Sequence, residues 1–196
     1  MSLILTALIV GGGLVAAGIG TRLALRRKPE KPEGDAPSKP AAKSSSGLAE
    51  AGFRVDVGDV ISVRGRELWL AQGWLLREGG EAVAAVLFSD QDVVVALPPP
   101  DARLALLTEV SANLPDEPPA SIEVKGVRYE RVRRLPVELA ALADTQPPPW
   151  NAALFCEYRG LGGEQLWIVG HGAFSRAFQG SAISDDDFEM WGKASG

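Results

Sequence analysis

Beyond residue 52 the chain never sustains a helical apolar period; its apolar residues come in bursts of about four to eight, closed by glycine, proline or aspartate. A burst of that length is short for a core helix but spans a strand, and the turn-forming residues between bursts let successive strands reverse. In "DVISVRG", Ile61 and Val63 fall on one side, Ser62 and Arg64 on the other. "ELWLAQGWLL" follows the turn Arg64–Gly65–Arg66, and "AVAAVLF" and "DVVVAL" are separated by "SDQ". "RLALLTEV" and "SIEVKGVRYERV" come next, the second with a hairpin tip at Lys125–Gly126, and "AALFCEYRG" and "EQLWIVGHG" flank the glycine turn at 160–163. Three segments keep a helical option: "DARLALLTEV", whose length and flanking prolines favour a strand, "VELAALAD" and "DDDFEMW". The expectation is an all-β domain, a β-barrel or a sandwich. A short internal echo, "VRGRELWL" at 63–70 and "VKGVRYERV" at 124–132, points to two similar β-halves with a break near residues 115–120.

The amino-terminal part follows other rules. Leu3 to Ile19 contains no charged residue. As a helix, residues 3–21 reach about 28 Å, close to the hydrocarbon thickness of a bilayer. Nine Leu, Ile and Val residues there favour insertion by about 3–5 kcal/mol, a gain that the five glycines weaken. Basic residues follow the apolar run (Arg22, Arg26, Arg27, Lys28, Lys31) and none precedes it. This order fits a retained transmembrane α-helix better than a cleaved signal peptide. Positive charge stays on the cytoplasmic side, so the expected location is the inner (plasma) membrane, single-pass, with the carboxy-terminal domain in the cytoplasm. The opposite topology would put that domain in the periplasm. Gly12, Ala16 and Gly20 line one helix face, where small residues permit close helix–helix packing and a homodimer. Residues 29–50, rich in proline, serine and alternating charge, read as a flexible linker of roughly 25 Å reach. The expected organisation is anchor 1–28, linker 29–50 and β-rich domain 51–196.

Charge narrows the partners. Residues 1–50 carry seven Lys/Arg against four Asp/Glu, and residues 51–196 carry thirteen against twenty-one. An acidic domain repels phosphate backbones, so no nucleic acid is expected. Cys156 is the single cysteine and forms no intrachain disulfide.

Residues that could carry chemistry are few. His171 is the one histidine, and a pair with Cys156 lacks a visible orienting third group. Asp185, Asp186 and Asp187 lack the ligand spacing of a calcium loop and suit a solvated turn or helix start. No catalytic residue, metal site or cofactor is expected. Trp69 and Trp167 alternate with leucines, so either they face away from the core and form, with His171, a binding surface, or each belongs to the core.

"VGDVISVRGRELWLAQGWLL" (57–76), "IEVKGVRYERV" (122–132), "EYRGLGGEQLWIV" (157–169) and "GSAISDDDFEMW" (180–191) together resemble the bacterial family known as domain of unknown function 4178, over about residues 55–191. Gly58–Asp59, Gly126 to Tyr129 and Asp185 to Phe188 fit its glycine–aspartate entry strand, its glycine-x-x-tyrosine strand and its closing acidic stretch. "AVAAVLFSD" (82–90) departs from it, lacking the tryptophan and glutamate–tyrosine pair of that family. The resemblance implies association with membrane-linked bacterial systems, including envelope-stress operons, and no established catalytic residues. The chain is therefore expected to be a membrane-anchored interaction or scaffold module with contacts to the lipid bilayer and to a protein partner, and not an enzyme. The alternatives are a small enzyme using Asp59, His171 or Asp185 to Asp187, and a periplasm-facing envelope protein.

Overall fold

The computed structural model describes residues 47–143, 145–146 and 152–193. The expected anchor, with Gly12, Ala16 and Gly20, and linker residues 29–46 lie outside the described residues. Among the described residues no helix is long and apolar enough to cross a membrane.

Twelve strands follow one another: β1 (Asp59–Val63), β2 (Arg66–Trp69), β3 (Gln72–Glu78), β4 (Glu81–Phe88), β5 (Val93–Ala96), β6 (Leu104–Val110), β7 (Ser121–Val124), β8 (Val127–Leu142), β9 (Ala152–Gly160), β10 (Glu164–Gly170), β11 (Arg176–Ile183) and β12 (Phe188–Lys193). The large sheet runs β3-β4-β5-β6-β11-β10-β9-β8, and pairing of β3 with β8 closes it into an eight-stranded antiparallel barrel. β7 adds to the start of β8, and β12-β1-β2 form a separate small sheet. The barrel thus consists of two four-stranded meanders, β3 to β6 and β8 to β11, joined at two seams, β3–β8 and β6–β11. Exchanging each strand of one meander for its counterpart in the other leaves the pairing pattern unchanged. At the second seam the strands come so close that a Cβ on Gly180 would collide with the carbonyl oxygen of Leu106.

The two echoed sequences are both tight hairpins. Arg64–Gly65 and Lys125–Gly126 have φ of 51° and 74°, and of 50° and 78°. Two successive positive φ values are the type I′ geometry whose twist matches a two-residue hairpin. The hairpins hold β1 against β2 and β7 against β8.

Strand periodicity sorts side chains to two faces. The inward set comes from all eight barrel strands and includes Trp74, Leu76, Val86, Phe88, Val95, Leu107, Val137, Phe155, Trp167, Val169 and Phe178. Eight strands leave an interior just wide enough for side chains to fill. The outer face of the first meander (Leu75, Ala85, Leu87, Val94, Ala96) is covered by Leu48, Phe53 and Val55 and by the small sheet through Ile61, Val63 and Leu68. On the second meander, Cys156, Tyr158, Leu166 and Ile168 are covered by Val124, Tyr129, Ala112 and Leu114. Both faces of β5 are therefore dry, and its sequence is continuously apolar for that reason.

Two sequence expectations are revised here. Residues 137–143 of "VELAALAD" are not helical: residues 138–142 pair with β3 and close the barrel, a tertiary demand that overrides the helical preference of Ala and Leu. "DDDFEMW" is a 3-10 turn at Asp185–Asp187 leading into β12. Leu48 is fully buried, and Gly47 (φ 78°) opens a turn fixed by Ala51 N–H to Gly47 O and Phe53 N–H to Leu48 O. "DARLALLTEV" supplies strand β6, as read.

Candidate functional site: one mouth of the barrel

β6 and β11 run antiparallel, with Leu104 opposite Ile183 and Val110 opposite Ala177. Arg103, just before β6, and Arg176, opening β11, therefore stand at opposite ends of the barrel. Each meets a glutamate, in different surroundings.

At the Arg176 end there is a cleft of about 670 Å3, within the usual volume range of ligand sites. The start of β3 contributes Gln72 and Trp74, the end of β4 and its turn contribute Phe88, Asp90 and Asp92, and β6 contributes Glu109. The Arg176 guanidinium donates from Nε to Glu109 Oε1 at 2.7 Å and from Nη2 to Oε2 at 2.6 Å. This is a two-pronged, charge-assisted contact, among the stronger ones a protein makes. It holds the Glu109 carboxyl below its ordinary range, and partial burial opposes it only in part. The guanidinium carbon also stands 5.0 Å from the Trp74 ring centre, 5.1 Å from Phe88 and 5.3 Å from Phe178. Trp74 meets Phe88 edge to face at 4.9 Å. Among the described residues the buried indole N–H of Trp74 has no acceptor. Asp92, almost fully buried, pairs with Arg66 of the small sheet. A second cavity of about 550 Å3, lined by Ser111, Ala112, Leu114 and Ser175, lies against the same Arg176–Glu109 pair.

The opposite end is tighter. Glu157 points into the barrel and is 1% exposed. Arg103 and Arg159 approach its Oε1 at 3.4 and 3.3 Å, and Arg133 approaches Oε2 at 3.4 Å. Arg133 also lies 5.3 Å over the Phe155 ring. Gln165 accepts a hydrogen bond from the Trp167 indole at 3.0 Å.

The residues singled out from sequence do not converge. Trp69 is 55% exposed on β2. Trp167 is 2% exposed, inside the barrel against Phe155, so it offers no surface: its neighbours Leu166 and Ile168 are the outward residues, and they too are covered. His171 is exposed just before the 3-10 turn Gly172–Phe174. Gly170 pairs with Leu154, which sets His171 about three residues, or roughly 10 Å, along the ladder from Cys156. Cys156 faces the outer cluster, where burial raises its thiol pKa. Asp185 pairs with Arg54 at 2.6 Å and Asp187 with Arg64 at 3.3 Å, so one carboxylate of the acidic turn holds the segment before β1 and another the β1–β2 hairpin. Among the described residues no group of three or more His, Cys, Asp or Glu is placed to hold a metal ion.

The Arg176–Glu109 pair was not found from sequence, although a signal existed. Glu109 and Glu157 are the carboxylates of two largely apolar strands, "LALLTEV" and "LFCEYRG", and a charge there calls for a partner.

Comparison of the chain with family models, with curated proteins and with solved structures found no match in any of the three. The motif resemblance to the domain of unknown function 4178 family stays an expectation.

Proposed function

We propose that the chain is a membrane-tethered binding module that carries out no chemical step, with residues 1–28 as anchor, the linker as spacer and the Arg176 mouth as the surface that meets a protein partner. In this reading the barrel faces the cytoplasm, the anchors pair through Gly12, Ala16 and Gly20, and the setting is the bacterial envelope. The open mouth carries the proposal: a cleft with an aromatic floor and convergent polar groups is the form ligand sites take, and this one has a polar rim with space in front of it. Glu109 is a poor general base there, because Arg176 holds it ionised by two hydrogen bonds. That favours recognition over catalysis.

Site-specific photocrosslinking in cells tests it. A photoreactive residue at Gln72 or Gln91, on the rim, should capture the same protein, and one at Lys125, on the β7–β8 hairpin, should not. Equal capture at all three positions, or capture at Lys125 alone, overturns the assignment of the mouth. A carboxy-terminal reporter that works only in the periplasm overturns the orientation.

A further inference from the structure

An arginine packed on three rings and forked onto a carboxylate is an unusual lining for an open cleft. Trp74, Phe88 and Phe178 surround the guanidinium at 5.0, 5.1 and 5.3 Å, and Glu109 accepts from its Nε and Nη2. Aromatic faces and an acid at the rim are the parts of a site that takes a cation from outside. Here the cation belongs to the chain itself.

Three observations argue that this occupant is exchangeable. Cavities open on both sides of the pair and share Glu109 and Arg176 as common lining. The Arg176 side chain is 32% exposed, so an outward path exists. The rim carries Asp90, Asp92 and Glu109 against Arg176 and the paired Arg66, an excess of negative charge that attracts a cationic group and repels an anionic one.

We propose that the mouth recognises the side chain of an arginine on the partner protein, and that Arg176 fills the cage in the free chain and is displaced by it. The proposal rests on the reading of the mouth as the binding surface and names its partner's chemistry. Arginine fits better than lysine because a planar guanidinium presents two parallel N–H groups to a carboxylate and a flat face to the rings. Occupation by Arg176 weakens the apparent affinity by the fraction of chains in which the cage is closed, which keeps partner binding reversible.

The test titrates N-acetyl-arginine amide into the full chain in lipid nanodiscs by calorimetry, with N-acetyl-citrulline amide, which has the same shape and no charge, as control. Wild type should bind the arginine probe saturably and the citrulline probe not at all. Arg176→Ala should bind the arginine probe at least about tenfold more tightly, and Glu109→Gln added to that variant should remove the gain. Arg176→Gln, which keeps most of the bulk, serves if the alanine variant fails to fold. No arginine-selective binding by wild type, or equal binding of citrulline, or no tightening in either Arg176 variant, overturns the proposal. Capture of a partner at Gln72 with a negative titration sinks this inference and leaves the binding surface standing. A positive titration with no rim capture leaves a guanidinium site in the mouth and overturns its assignment to a protein partner.

Discussion

The two ends of the barrel make the same pairing, arginine to inward glutamate, and reach opposite results. At one end a single arginine grips Glu109 through two short bonds and lies on rings, with open space in front. At the other, three arginines ring the buried Glu157 at 3.3 to 3.4 Å. A filled barrel needs its polar ends satisfied, and a buried charge survives only when paired. The Glu157 end uses its charges to close the barrel; the Glu109 end uses them at the edge of a cavity. One therefore reads as structure and the other as surface.

Removing each glutamate separates these roles most sharply. Glu157→Ala strands three guanidiniums around an empty position and should cost about 3 kcal/mol, the low end for a broken buried pair because the arginines reach water. Glu109→Ala should cost about 1 kcal/mol or less, since both partners are partly exposed. Denaturant unfolding of both variants checks the ratio, and equal losses would break the distinction. Alkali probes the covered flank beside the Glu157 end. Burial pushes Tyr158 up to about 12, so the neutral phenol is favoured in the fold. Its contribution is intact below the ordinary value of 10.0 and is lost as pH rises toward 12. Tyr158→Phe should unfold less steeply than wild type across that window, although it gives up the hydrogen bond to Pro119 O at 3.0 Å. Acid probes the mouth with a smaller effect and the opposite sign. Glu109 is lowered from 4.5, so its contribution is present above that value and fades as pH falls through and below it. A pH series should show wild type losing its advantage over Glu109→Gln in acid; a constant difference would mean the pair does not stabilise the fold. Trp69→Ala, on the exposed small sheet, should change stability by less than about 0.5 kcal/mol.

How much of this was legible follows from which interactions are local. The strands and both hairpin tips could be read because turn chemistry and apolar bursts lie within a few residues of one another. The direction of Trp167 could not, because covers lie over both sheet faces and alternation loses its contrast once outward positions such as Leu166 are also apolar. The strand at 138–142 was hidden by its Ala and Leu content, since only pairing with β3, more than 60 residues earlier, makes it extended. Leu48 looked like linker because one buried leucine has no pattern around it. The mouth was least legible: Arg176 and Glu109 are 67 positions apart, and each alone is an ordinary charged residue on a strand.

The pairing of β1 with β12 reaches beyond architecture. During synthesis β1 leaves the ribosome long before its neighbour Phe188–Lys193 exists, and β6 likewise waits for β11 across a stretch that includes all of β8 to β10. The nascent domain must hold the apolar faces of β3 to β6 half-clothed until β11 has been made, a state that invites aggregation. Closing those long loops late also predicts slow maturation. Chaperone demand, and a barrel left open when ribosomes stall before β11, are the physiological signature to look for.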